Sequence, residues 1–563
     1  LVFSPEIYFG TKMKLISKEK IMFTHGGELV GRALAAQGVS TLYTLCGGHI
    51  APIYEGCLNN DIRVIDFRHE QAAAHAADAH ARLTRNIGVA AVTAGPGVTD
   101  AVTAVANAFQ ARSPMILLGG AAPLSTKGMG ALQEMPQTDL FKTFTKASFT
   151  ITDTAQIPAR MAEAFRTALS GRPGPVFIEL PFDVLFNAID PPEIAPKVEI
   201  SPVEPEAGAL EKIAALLKNA RKPVIIAGTQ VYWDGASAAL KNLTEQTAIP
   251  VFTNGAGRGT LPMDHPHLFK ATRSAALKEA DVVVLIGTPL DFRLKYGRDW
   301  NPDSKLVQVE NDTAELNHNR QADVALVADA RLVLEGLSAR VGDVRFDDWL
   351  SQMQEIEGEK RAKMAQWMAL DDAPVNHFRF GAAVNNFVDE DTIVIGDGGD
   401  IVSATAKVLN ITRPGQWLDP GPLGCLGVGA PFAIAAQNLH PDKKVLIVNG
   451  DGSFGLNGFE FDTAVRFNLP IVSIVGNDAG WGQIRGPQIQ MVGKERAIAS
   501  SLAPTRYDKI VAAMGGYGEH VDHPAEIEAA LARAFESGKP ACIDVALDPE
   551  GMQKTGASTP YIV

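Results

Sequence analysis

Short apolar runs recur along this chain, separated by stretches of helical spacing. The first third carries "IRVIDF" (62–67), "GVAAVTA" (88–94), "SPMILLGG" (113–120) and "GPVFIEL" (174–180), with alanine-rich sequence between them. The alternation returns in "KPVIIAG" (222–228), "IPVFTNG" (249–255), "ADVVVLIG" (280–287) and "SKLVQVE" (304–310). A third set follows in "TIVIGDGG" (392–399), "KKVLIVNG" (443–450), "LPIVSIVGN" (469–477) and "ACIDVAL" (541–547). Unbroken runs rich in Val and Ile are the pattern of parallel strands buried on both faces. Three successive blocks of this kind predict an α/β protein of three doubly wound parallel-sheet domains.

Proline and charge mark the expected boundaries. Residues 25–189 form the first domain, and the proline-punctuated 190–208 reads as a linker. A second domain is expected over 209–345, a charged helical connection over 346–374, and a third domain over 375–548. Residues 1–24 read as an extension, with Met22 as the expected start of the folded part. The small, polar residues 549–563 read as a mobile tail.

Composition narrows the function classes. A chain of 563 residues is too long for one core. Its net charge of -13 argues against general nucleic-acid binding, which needs a basic surface. No apolar stretch is long enough for an expected membrane span. Cys46, Cys57, Cys425 and Cys542 are too few and too scattered for a disulfide framework or a zinc site, so reduced thiols in the cytoplasm are expected.

In doubly wound sheets, ligands gather beyond the carboxyl ends of the strands. Asp451 stands there, at the end of "VLIVNGDGSFG" (445–455), although Gly450-Asp451-Gly452 alone reads equally as a tight turn. The helical spacing of "LNGFEFDTAVRFN" (456–468) and the strand "IVSIV" lead next to Asn477. If the two strands are neighbours, Asp451 and Asn477 emerge together and are placed to share a cation. A carboxylate, an amide oxygen and a carbonyl are too few ligands for Ca²⁺ but suit Mg²⁺, which completes its shell with water and phosphate. The N–H groups of Gly452 and Ser453 at a helix start could hold those phosphates. The loop "IGDGGDIVSATA" (395–406), with Gly398, Gly399 and Asp400, could add more. Glu70, in "IRVIDFRHEQAAAHAADAHARLTR" (62–85), opens a helix whose dipole it would complement in any case.

Gly450-Asp451-Gly452 followed by Asn477 resembles the diphosphate motif of thiamine-diphosphate-dependent enzymes, with Gly476 where the family usually has a first asparagine. The resemblance implies that Asp451, Asn477 and the backbone oxygen of Ala479 bind Mg²⁺. "RHEQAA" resembles the family's activating-glutamate segment, and "VTAGPGVTDAVTAVANAFQARSPMILLGG" (92–120) resembles its pyrimidine-binding domain. Glu70 is thereby implied to engage the aminopyrimidine, with its pKa raised in a water-poor cleft. "LCGGHIAPIYEGC" (45–57) and "GALQEMPQ" (130–137) resemble benzaldehyde lyases and the acetolactate synthase-like 2-hydroxyacyl-CoA lyases. His49 and Gln133 would there handle protons of the substrate, while Pro136 departs from an acidic residue usual in that branch.

By the same resemblance Leu426, in "DPGPLGCLGVGAPFAIA" (419–435), props the bent cofactor, a position that core packing would also explain. Trp481, Gly482 and Gln483 fall in "GNDAGWGQI" (476–484), close to cofactor or substrate. Arg258 and Arg293 lie in the glycine-containing loops "FTNGAGRGTLP" (252–262) and "LIGTPLDFRLKYG" (285–297) of a central domain that holds FAD, ADP or coenzyme A in some relatives. They could clamp phosphates or be plain surface arginines. The implied activity is cleavage of a 2-hydroxyacyl-CoA to an aldehyde or ketone and formyl-CoA, or the reverse condensation. Acetolactate synthase, or a related 2-oxo acid decarboxylase or carboligase, is the alternative. The implied assembly is a homo-oligomer, a dimer of dimers, acting on acyl-CoA and small carbonyl partners, with a tail that folds over the active site in coenzyme A-handling relatives.

Overall fold

The computed structural model describes residues 24–555. The expected extension up to Phe23, its Met22 start and tail residues 556–563 lie outside the described residues.

Two short strands, β1 (Thr24–His25) and β8 (Ala188–Ile189), pair antiparallel and close the first unit. Between them lie β2 (Thr41–Thr44), β3 (Arg63–Asp66), β4 (Gly88–Val92), β5 (Met115–Ala121), β6 (Ala147–Thr150) and β7 (Val176–Pro181), in the order β3-β2-β4-β5-β7-β6. The central sheet is β9 (Pro223–Ala227), β10 (Val251–Thr253), β11 (Val282–Ile286), β12 (Lys305–Glu310) and β13 (Val324–Val327), ordered β10-β9-β11-β12-β13. The last sheet holds β14 (Thr392–Asp397), β15 (Trp417–Leu418), β16 (Lys444–Gly450), β17 (Val472–Asn477), β18 (Tyr517–Val521) and β19 (Ala541–Ala546), ordered β15-β14-β16-β17-β19-β18. All three sheets are parallel throughout.

The first and last sheets repeat one strand order. Each therefore has a switch point, between β2 and β4 in one and between β14 and β16 in the other, where loops part to opposite sides and leave a crevice.

The alanine-rich helix Glu70–Thr84 joins these two sheets. Its Ala72, Ala73, Ala76, Ala77 and Ala79 are fully buried and allow close approach to the helix Gly429–Leu439. Arg82 fixes the seam. It forks onto Asp78 at 2.8 and 2.6 Å, donates to the Asp419 carbonyl at 2.6 Å and lies over the Phe432 ring. The central sheet is tied to the first by Arg112, whose guanidinium meets Glu310 at 2.6 Å and Glu315 at 2.8 Å. Burial works against the Arg112 charge, but the two glutamates outweigh it and hold its pKa above the ordinary value.

A 22-residue helix, Asp347–Met368, connects the central and last units. The described end of the tail forms a helix, Gly551–Lys554, whose Met552 is buried against Phe378 and Val408. No helix among the described residues is long and apolar enough to cross a membrane.

Burial has a pH consequence at this seam. His75 is fully buried beside Phe432, and burial pushes its pKa down to about 4. The folded state thus keeps it neutral where an unfolded chain, near 6.5, takes up a proton. Its contribution is complete above pH 6.5 and is lost as pH falls toward 4. Thermal unfolding of wild type and His75→Gln between those limits should show wild type losing about 3 kcal/mol relative to the variant. Parallel curves would contradict this.

Candidate active site

Strand register places the acidic half. Asp397 pairs with Asn449, and Gly450 pairs with Gly476, so the loops after β14, β16 and β17 leave side by side. Asp451 begins the helix Asp451–Asn457, and Asn477 ends β17. Asp451 borders a cavity of ≈ 170 Å³ whose walls include Gly398, Asp400, Leu426, Gly452, Trp481 and the two chain neighbours of Asn477, Gly476 and Asp478. Gly398 and Gly399 have φ of 85° and 75°, which side chains adopt only with strain. A Cβ on Gly452 would lie 2.5 Å from the Trp481 ring, so that ring rests directly on the backbone. Ser453 donates its hydroxyl to the carbonyls of Gly450 and Asp397, fastening one loop to the other. Gly482 lies next to the carboxylates of Asp478 and Asp400.

Charge in this cavity is unbalanced. Burial pushes the Asp451 carboxyl up to about 6, against the N–H groups of Gly452 and Gly480, which donate to it at 2.8 and 3.0 Å. Burial, then Asp451 and Asp400, raise Asp478 to about 7 even though Arg485 pairs with it at 2.8 Å. Asp400 is raised by burial as well. Asn477 Oδ1 accepts from Ala479 N at 3.2 Å. Ala479 has a φ of 49°, an uncommon left-handed backbone, and its carbonyl is 3.3 Å from Arg485 Nη1. A carboxylate, an amide and a carbonyl oxygen beside surplus negative charge fit a hard divalent cation, and the Cβ-free loop fits a phosphate group.

A second cluster surrounds the loop 93–97, after β4. Glu70 is the first residue of its helix and is 8% exposed. Burial, assisted by Asp100, raises its pKa, while its own backbone N–H opposes the rise. A Cβ on Gly97 would come within 3.2 Å of Glu70 Oε1, so the loop lies against the carboxylate. His49, in the 3₁₀ turn Gly48–Ile50, meets Thr93 Oγ1 through Nδ1 at 3.2 Å, and burial lowers its pKa. Gln133 has a φ of 63° and packs on Gly95. Buried Gln137 holds this arrangement, accepting from Gly95 N at 2.7 Å and donating to the Gly120 carbonyl and to Glu179.

Comparison with known proteins gives the family. "Thiamine pyrophosphate enzyme, N-terminal TPP binding domain" matches residues 24–141, the central domain of that family matches 210–337, and its C-terminal TPP binding domain matches 397–545. The chain belongs to the thiamine pyrophosphate enzymes. It is 38% identical to "Probable acetolactate synthase" of Mycobacterium bovis, over 93% of this chain and 96% of that protein. It is also 38% identical to "2-hydroxyacyl-CoA lyase 2" of Caenorhabditis elegans, over 88% and 84% of the two chains. Against the Homo sapiens protein of the same name the identity is 36%, over 89% and 85%. This thiamine pyrophosphate enzyme thus sits in the branch that contains both activities.

The central domain of the thiamine pyrophosphate enzyme adds a third feature. A cavity of ≈ 430 Å³ is walled by Arg258, Arg273 and Arg293 and shares Gly398, Gly399, Leu426 and Gln483 with the carboxylate cavity. Arg258 is no surface residue. Its guanidinium is buried over the Trp417 ring, and its Nη1 has no hydrogen-bond partner among the described residues. Arg293 is held by Asp291 at 2.6 Å. Sequence reasoning missed Thr93, Gln137, Arg273, Asp478 and Arg485. Of these, Thr93 and Asp478 directly follow strands and could have been found by the strand-end criterion.

Proposed function

We propose that the chain is a 2-hydroxyacyl-CoA lyase that uses thiamine diphosphate and Mg²⁺. Support comes chiefly from the arginine-walled cavity that runs into the carboxylate cavity. A phosphate-rich coenzyme A tail suits the three arginines that line this cavity. Pyruvate alone has no use for them, whereas the diphosphate of FAD would suit them as well. In this reading the cleavage breaks the bond between the thioester carbon and the hydroxyl-bearing carbon. The hydroxyl loses its proton and becomes the aldehyde or ketone carbonyl, while the thioester carbon gains a proton and leaves as formyl-CoA.

Thiamine diphosphate, when bound, supplies the electron sink for that cleavage. Asp451 and Asn477, with the Ala479 carbonyl, hold the cation, and Gly398, Gly399, Asp400, Gly450, Gly452, Ser453 and Gly482 with Trp481 form the diphosphate cradle. Leu426 stands between the two cavities. Burial raises the pKa of the Glu70 carboxyl, which suits it to hold or pass a proton. His49 is neutral, and with Nδ1 engaged by Thr93 it offers Nε2 to the substrate hydroxyl. Gln133 orients the same oxygen. Arg258 and Arg293 bind phosphate.

The same reading implies an assembly. The carboxylate cavity is lined by residues 377–547, and Glu70 is absent from its walls. In this reading a second copy of the chain brings its Glu70 cluster to this cavity, and the active unit is a homodimer or a pair of homodimers.

Acetolactate synthase is the second reading, favoured by the mycobacterial relative, with FAD rather than coenzyme A in the arginine-walled cavity. Purified protein with thiamine diphosphate and Mg²⁺ is expected to release formyl-CoA and an aldehyde or ketone from a 2-hydroxyacyl-CoA, followed by mass spectrometry. Little acetolactate should form from pyruvate. The opposite preference, with flavin co-purifying, would establish the second reading.

A further inference from the structure

Behind the cation site, an acidic side chain reaches Asn477 from the neighbouring strand. Asp544 lies in β19, opposite Val475 of β17, and is fully buried. Asn477 Nδ2 donates to Asp544 Oδ1 at 2.9 Å and to the Thr505 carbonyl at 2.9 Å. Both amide N–H groups are thus committed to acceptors, and Oδ1 meets a donor, Ala479 N. A carbonyl cannot donate and a backbone N–H cannot accept, so the amide has one consistent orientation. Turning it over would set an NH₂ group against Ala479 N–H and leave Oδ1 facing the Asp544 carboxylate.

Asp544 is itself braced. Its Oδ2 meets His520 Nδ1 at 3.0 Å, His520 Nε2 meets Asp522 at 2.8 Å, and Arg506 Nε lies 3.7 Å from Asp544 while pairing with Asp508. Asp508, His520 and Asp544 have the spacing of metal ligands. Arg506 already supplies positive charge there, and both His520 nitrogens are engaged, so the cluster reads as a support rather than a second metal site.

We propose that Asp544 is a positioning residue that keeps the Asn477 amide oxygen turned toward the divalent cation. The proposal rests on the reading that Asp451, Asn477 and the Ala479 carbonyl hold that cation. Partners that orient metal ligands typically change metal affinity 10- to 100-fold when removed. Asp544→Asn keeps the shape but replaces a group that can only accept by one that can also donate to Asn477, which weakens the hold on the amide while the Thr505 carbonyl and Ala479 N–H remain.

The test is Mn²⁺ binding to the full chain with thiamine diphosphate present, read by the loss of free-ion paramagnetic resonance signal. Asp544→Asn should raise the Mn²⁺ Kd by about 10- to 100-fold, while kcat at saturating Mn²⁺ stays close to wild type. Asp544→Glu, which keeps the charge and moves it by one methylene, is measured alongside and covers the case in which the first variant does not fold. Wild-type Mn²⁺ affinity in whichever of the two folds overturns the role of Asp544. Asp451→Ala separates the two levels. If it too binds Mn²⁺ like wild type, the cation site itself has been misassigned.

Discussion

Glu70→Gln is expected to lower turnover by about 10²- to 10⁴-fold, the range for a lost general acid–base group. Glutamine has nearly the same shape, so Gly97 and the rest of the loop 93–97 keep their packing, and the fold should survive. What disappears is an ionisable carboxyl whose pKa is raised by burial. Cation affinity should change little, because the carboxylate cavity is lined without Glu70. Steady-state turnover measured beside Mn²⁺ binding separates the two properties. Full turnover in the variant would remove Glu70 from the chemistry. Loss of both properties would instead make it structural.

Glu310→Ala carries the largest expected cost in stability. Glu310 and Arg112 are 2% and 4% exposed, and the substitution strands a guanidinium between the first and central sheets. Breaking a buried pair from one side costs about 3–5 kcal/mol. Glu315 remains 2.8 Å from Arg112, which puts the expectation near the lower end. At about 2–4 °C per kcal/mol for units of this size, the first unfolding transition should fall by roughly 6–12 °C. Replacing both partners, as in Arg112→Met with Glu310→Met, leaves no unpaired charge and should cost less than the single change. Calorimetry of the three proteins decides it. A double variant less stable than Glu310→Ala would contradict the account.

Much of the fold was legible because buried parallel strands leave an unbroken apolar signal, and four strands of each sheet are such runs. Short or half-exposed strands such as β6, β15 and β18 leave none. Strand ends also carry the chemistry in this architecture, so Asp451 and Asn477 could be singled out without knowing their neighbours. The β16–β17 pairing then puts them side by side. Contacts between distant segments leave no local trace. Arg112 and Glu310 are 198 positions apart, and Asn477 and Asp544 are 67 apart, with no periodicity linking either pair. Arg258 shows the same limit. A glycine-rich loop suggests exposure, but whether its arginine is covered depends on Trp417, which comes from another sheet.

The repeated strand order of the first and last sheets bears on how such a polypeptide is put together. Each sheet is assembled from one contiguous stretch of backbone and borrows no strand from the other. Neither sheet therefore needs a strand of the other to present its crevice. A gene split within 190–208, or spliced with its ends exchanged, would still encode both scaffolds.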